Sequence, residues 1–195
     1  MRHRKRGRVL GRAPSHRKAL LKNLASALFL TERDASDEDN EPKVKGRIVT
    51  TVAKAKEVRP LVEKCVTVAC KALDHMDAAK QYGTDAERNS ESWKNWRGGE
   101  KWQQWAAAMA PAVAARRRLL RLLGDKRAVR VLVAEVAPRF RDRKGGYTRV
   151  VRLATPRLGD AGPRAILEFV GVRDRQVQRS EKPAFSDESA ETASA

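Results

Sequence analysis

Three histidines and two cysteines are all that this chain of 195 residues offers toward an imidazole base, a thiol nucleophile or a soft metal site. His3 and His16 lie in or beside a run of cations, and His75 stands alone. No His or Cys pair has the spacing of a metal site. Cys65 and Cys70 fall on different faces of a helical stretch, which argues against an internal disulfide. Asp125 and Asp142 are carboxylates without a visible partner. Gly145-Gly146 follows a basic loop and precedes a strand-like run, so it is not a strand-to-helix phosphate loop. These residues support no enzymatic reading, and they call for no cofactor, metal or small-molecule substrate.

What the chain does hold is phosphate chemistry. It opens MRHRKRGRVLGRAPSHRK, with eight Arg or Lys and no acid in eighteen positions. Arginine grips phosphate through two parallel donors and stacks on bases. Histidine donates to phosphate or stacks on an exposed base. The candidate ligands in this stretch are Arg2, His3, Arg4, Lys5, Arg6, Arg8, Arg12, Ser15, His16, Arg17, Lys18 and Lys22. Two further clusters have the same character: Lys54 and Lys56, and then Arg139, Arg141, Arg143, Lys144 and Arg149 around the glycine pair. Cations at a helix N-terminus oppose the macrodipole, so a bound phosphate makes sense of Lys54 and Lys56, the alternative being a solvated helix face. Strand alternation puts Arg149 on one face with Tyr147, which suits either RNA contact or the core. Arg116, Arg117 and Arg118 fit RNA contact or a solvated face equally.

Elements must hold these groups in place. Residues 1–14 have glycines and no apolar period, as in an extended arm. Ser15 then reads as the N-cap of a first helix, with Leu20, Leu21, Leu24, Ala25 and Leu28 on one stripe. Six acids between Glu32 and Glu41 mark a flexible acidic loop. Arg47–Thr51 favours a strand, and Thr50 or Thr51 is placed to cap a second helix over 52–73. Pro60 inside that pattern predicts a bend or break. A third helix spans 112–123 and stops at Gly124, and Asp125 caps the next, whose apolar face ends near Pro138. Residues 147–153 and 165–172 read as strands joined by a long hairpin loop, and 173–195 as a flexible tail.

Residues 74–111 break the pattern. With six acids and five basic residues they are close to neutral in a chain of net charge +18. They also hold all four tryptophans, Trp93, Trp96, Trp102 and Trp105. The indoles fit a self-packed helical hairpin, or stacking on RNA or a neighbouring protein.

A charge of +18 makes the chain repel itself until a polyanion neutralises it. Nucleic acid is the first candidate and an anionic membrane surface the second. No run approaches the roughly 20 apolar residues of a membrane span. A mitochondrial presequence would share the Arg-rich, acid-poor start. The sparse cysteines suit a reduced cytosolic setting.

The same segments resemble a known family in order. MRHRKRGRVLGR, SHRKALLKNLASALF, RIVTTVAKAKEVRPLVEK, VAPRFRDRKGGYTRVVRL and GDAGPRAILEFV are similar to blocks of bacterial ribosomal large-subunit protein L seventeen. They cover 1–30, 47–73 and about 113–172, and the stretches 34–46 and 74–111 depart from the family as insertions. The resemblance implies an α/β (α+β) fold, a helical core packed on a small sheet that includes a C-terminal hairpin. It implies one domain over 15–172, bound to 23S rRNA on the peptide exit side of the cytoplasmic large subunit. Ribosomal protein L thirty-two is the neighbour it implies, and no catalytic residues come with it. A free nucleic-acid-binding protein of nucleoid or regulatory type is the alternative.

Overall fold

The computed structural model describes residues 7–35 and 38–171. In chain order these form α1 (Pro14–Leu30), β1 (Arg47–Thr51), α2 (Val52–Lys80), α3 (Glu91–Gly98), α4 (Glu100–Leu123), α5 (Lys126–Val131), a π-helical turn (Leu132–Val136), α6 (Ala137–Arg139), β2 (Thr148–Arg152) and β3 (Arg164–Phe169). This is the expected α+β architecture. The central helix α2 packs against α4 on one side and against the sheet on another, and α1 packs against α5 and α2.

Two helix starts differ from expectation. α1 begins at Pro14, with Ala13 at the N-cap and no side-chain cap, so Ser15 is helical and does not cap. Proline at the first helical position wins because its missing N–H has no partner to lose and its φ is already helical. Thr51 does occupy the N-cap of α2, but its side chain caps nothing. The N–H of Val52 is taken instead by the carbonyl of Pro163, 3.1 Å away in the hairpin loop. Asp125 caps α5 as its sequence position suggests, accepting from the N–H groups of Arg127 and Ala128. Gly124 ends α4 in the left-handed conformation, φ 80°, where glycine has no steric penalty.

Pro60 does not break α2, which is one helix of 29 residues. The proline lies on the exposed side, where the carbonyl it leaves unbonded is open to water, and packing of the opposite face holds the helix together. The helix also runs past the expected end at residue 73 to Lys80, with Ala72 and Ala79 buried. α4 starts at Glu100 rather than near 112 and passes through Pro111, which is also exposed. Residues 74–111 therefore prolong two core helices into a hairpin, with α3 at its tip. None of its residues belongs to the main buried cluster.

The indoles pack that tip. Trp96 meets Trp105 edge-on at 5.8 Å, and its ring N–H donates to the Tyr82 carbonyl at 2.9 Å. The Arg97 guanidinium lies 5.2 Å from the ring centres of both Trp93 and Trp102.

The sheet has the order β1-β3-β2, antiparallel throughout. Along β3, Ala165, Leu167 and Phe169 point into the core. Phe169 joins Phe29, Phe140 and Tyr147 in an aromatic cluster with ring centres 5.3 to 5.9 Å apart. Tyr147 is thus a core residue and does not share an exposed face with Arg149. Phe140 reaches the cluster through the π turn, where Ala137 donates to the Leu132 carbonyl five residues back. Pro138 has no N–H to continue the ordinary ladder at that point.

One carboxylate ties helix to sheet. Glu63 of α2 accepts from the N–H groups of Tyr147 and Thr148 and from the Thr148 hydroxyl, at 3.1, 2.9 and 2.6 Å. Thr148 is 2% exposed. Glu63→Ala would leave these donors without partners, a loss of about 2–3 kcal/mol given the usual cost of a buried unsatisfied group. Glu63→Gln, which keeps one acceptor oxygen, is expected to lose less. Urea denaturation of the two variants checks the order and size.

A second expectation concerns the hairpin. Replacing residues 81–105 with a short turn removes every tryptophan and no residue of the main core. The shortened chain should keep a cooperative thermal transition by circular dichroism. Tryptophan emission from the intact chain should therefore report on the tip alone.

Candidate nucleic-acid interface

The arm, the two basic clusters and the first turn of α1 can now be located. Arg2, His3, Arg4, Lys5 and Arg6 lie outside the described residues. The described part of the arm is folded back rather than extended. Arg12 donates its N–H to the Val9 carbonyl at 3.2 Å, closing a turn whose central residues, Leu10 and Gly11, both have positive φ. That is the backbone of a type I′ turn. Gly7 (φ 93°) sits against α2, so closely that a Cβ there would lie 2.9 Å from a carboxylate oxygen of Glu57. Arg8 is exposed, and Arg12 turns one guanidinium nitrogen to the Leu10 carbonyl at 2.8 Å. Its Nε is buried and makes no hydrogen bond.

Ser15, Lys18 and Lys22 follow at i, i+3 and i+7 on α1, so they share one helix face. His16 is exposed and Arg17 half-buried. The first turn of this helix has no acid, and its free N–H groups are not capped by a side chain. Such a terminus is a natural anion site, with the dipole and unpaired donors acting together.

The second basic region is a groove of about 770 Å³ between α2 and the sheet. Lys56, Arg59, Pro60 and Glu63 line it from α2, and Gly146, Arg149, Val150 and Arg152 from the loop and β2. Lys56, Arg59 and Glu63 converge because i, i+3 and i+7 share a face; Lys54 is two residues off that stripe and does not line the groove. Four cations thus face one carboxylate, and that carboxylate already accepts three hydrogen bonds. Arg59 lies 3.7 Å from it. Sequence reasoning missed Arg59 and Arg152, although the helical spacing from Lys56 was a readable sign of the first.

The loop after the π turn differs most from expectation. Arg139 bonds Glu32 at 2.7 Å and stacks over the rings of Phe140 and Phe169. Arg141 binds Asp74 and Asp77 at 3.0 and 2.6 Å. Arg149 pairs with Glu168, its neighbour across the strands. Arg143 donates to the Gly145 carbonyl, and Lys144 is exposed. Three of these five cations are therefore matched inside the chain. Their carboxylates come from the acidic stretch after α1, the extension of α2 and β3, none of which was visible as a partner in the linear sequence.

The pairing has an electrostatic signature. Hydrogen bonds from Lys80 and Arg141 hold the Asp77 carboxyl below its usual range, and Asp77 and Asp74 in turn raise Arg141. Glu38 is lowered in the same way by Arg127 and Arg33. Burial pushes the Cys65 thiol up to about 12. Both cysteines are free thiols, and a thiol held protonated is a poor nucleophile. Among the described residues no cluster of three metal-ligating side chains occurs, and no helix is long and apolar enough to cross a membrane.

The family described as Ribosomal protein L17 matches residues 20–170 of the chain. The protein named "Large ribosomal subunit protein bL17" in Rhodopirellula baltica is 61% identical over 195 residues, all of this chain and 93% of that protein. The proteins of the same name in Nitratidesulfovibrio vulgaris and Thermus thermophilus are 35% identical over 184 residues and 36% over 170. These cover 94% and 87% of the chain, and 96% and 99% of the relatives. A match that begins within α1 and ends beside the last strand takes in every element around the groove, and the chain belongs to the ribosomal protein L seventeen family.

Proposed function

We propose that this chain is a structural component of the large ribosomal subunit that binds and stabilises 23S rRNA, working in the cytoplasm and catalysing nothing. The observation that carries the reading is the groove between α2 and β2, where four cations face one committed carboxylate. A groove with that charge attracts a phosphate backbone and repels other cations. The uncapped first turn of α1 and the cations Lys18 and Lys22 offer phosphate contacts from a second element. Arg8, Arg12, His16 and Arg17 extend them toward the arm, whose residues Arg2, His3, Arg4, Lys5 and Arg6 complete the basic run.

The roles differ by residue. Lys56, Arg59 and Arg152 contact phosphate in the groove, and Lys54 and Lys144 do so from the surface beside it. Arg143 shapes the glycine turn. Arg139, Arg141 and Arg149 hold loop and sheet in register and contribute less to RNA affinity. The likeness to the family supports a site on the peptide exit side of the subunit, with ribosomal protein L thirty-two as neighbour. Residues 15–172 act as one domain, and 34–46 and 74–111 are additions to it.

Binding to 23S rRNA should weaken steeply with salt, since each neutralised phosphate adds about 0.7–0.9 to the log–log slope. Deleting residues 2–12 removes six Arg or Lys residues and should flatten the slope by about four units. An unchanged slope means the arm touches no phosphate. Sedimentation of cell lysate should place nearly all of the protein with large subunits; a mainly free pool favours the nucleoid or regulatory alternative.

A further inference from the structure

The run Arg116-Arg117-Arg118 is not used by the groove, and the structure gives it a setting. Between residues 116 and 130 the chain holds seven Arg or Lys and one acid, Asp125. The Asp125 carboxylate caps α5, its Oδ1 accepting from the N–H groups of Arg127 and Ala128. Arg127 is paired with Glu38. The other six cations are exposed, and none has an acidic partner among the described residues. They contrast with the loop cations Arg139 and Arg141, which the fold supplies with carboxylates.

Three of the six converge. Arg116 from α4, with Lys126 and Arg130 from α5, surrounds a hollow of about 190 Å³ whose floor is Leu120 and Val129. The volume equals that of about six waters, room for one phosphodiester group. Arg116 and Leu120 are i, i+4 on α4, and Lys126 and Arg130 are i, i+4 on α5, so α4 brings one cation and an apolar residue, and α5 two cations, to the same place. Like charges so placed repel one another. Lys126 also stands at the first position of α5, against the dipole. Asp34 and Glu135 line an adjoining hollow with Arg33, Arg127 and Arg130, and neither they nor Asp125 line this one.

We propose that Arg116, Lys126 and Arg130 form a second rRNA phosphate site, so that the chain engages rRNA on two faces. The site rests on the reading of the chain as an rRNA-binding protein. It shares no lining residue with the groove, which lies where α2 meets β2. An RNA backbone satisfies all three cations at once, and the apolar floor leaves the ribose edge in contact with Leu120 and Val129.

The test compares three triple variants of the full chain binding 23S rRNA across a salt series. The first is Arg116→Gln, Lys126→Gln and Arg130→Gln. The second is the groove set, Lys56→Gln, Arg59→Gln and Arg152→Gln. The third is a control of equal charge on the hairpin, Arg88→Gln, Lys94→Gln and Lys101→Gln. All nine residues lie on the surface, so each variant should melt like the parent chain. The first variant should flatten the log–log slope by about two units, with the control nearly unchanged. A change no larger than the control's, while the groove set flattens the slope, overturns the second site alone. Salt-independent binding by the parent chain overturns the rRNA-binding reading and this site with it.

Discussion

The carboxylate of Glu63 is the point on which the sheet depends. A three-stranded sheet with two edges is weak by itself and needs a helix to cover one face. Burial of Ala165, Leu167 and Phe169 in the helical core supplies the attraction, but it has no preferred register. The three hydrogen bonds to Glu63 supply the register, fixing where β2 starts along α2. They also decide where the glycine turn lies, and therefore where Arg149 and Arg152 enter the groove. One anion inside a basic site is not a flaw of the design. It is bonded three times, so the positive field of its neighbours is shaped and not cancelled.

Charge is divided into two classes by the fold. Some cations are given acids: Arg139 by Glu32, Arg141 by Asp74 and Asp77, Arg127 by Glu38, Arg149 by Glu168. These pairs are partly exposed and individually weak. Their effect is to hold loops against helices, and to relieve the repulsion that a charge of +18 would otherwise spread over the whole surface. Lys56 and Arg152 of the groove, and the three cations of the hollow between α4 and α5, have no acidic partner among the described residues. The acidic stretch after α1 thus has a use inside a basic protein. Glu32 and Glu38 cross-link it to the two ends of the α5–α6 segment.

Much of this was legible in the residues. The stripes of α1, α2 and α5, the cap at Asp125, the stop at Gly124 and all three strands follow from periodicity and local chemistry. What was not legible depends on long-range contact. Pro60 looked like a bend or break because a proline's cost is local, whereas the packing that overrides it comes from the other side of the helix. The π turn was hidden because Pro138 only removes a donor, and the chain's response depends on Phe140 having a core to enter. Residues 74–111 looked separate because their composition changes, yet composition says nothing about helical continuity. The basic loop looked uniformly available to RNA because its acids lie 19 to 107 residues away. Resemblance to a family supplied the expectation of a ribosomal role, which charge alone left shared with other polyanion binders.

The continuity of α2 turns residue number into a ruler. Lys56 stands near one end and Lys80 at the other, about 36 Å apart along a single rod at 1.5 Å per residue. The tryptophan tip is therefore set at a defined height and a defined azimuth from the groove. One residue added to the rod between them would raise the tip by only about 1.5 Å but swing it through about 100°. Lengthening by whole turns is mechanically mild, and lengthening by a fraction of a turn points the indoles somewhere else. Viable changes in the length of this hairpin should accordingly come in steps near three or four residues on each rod.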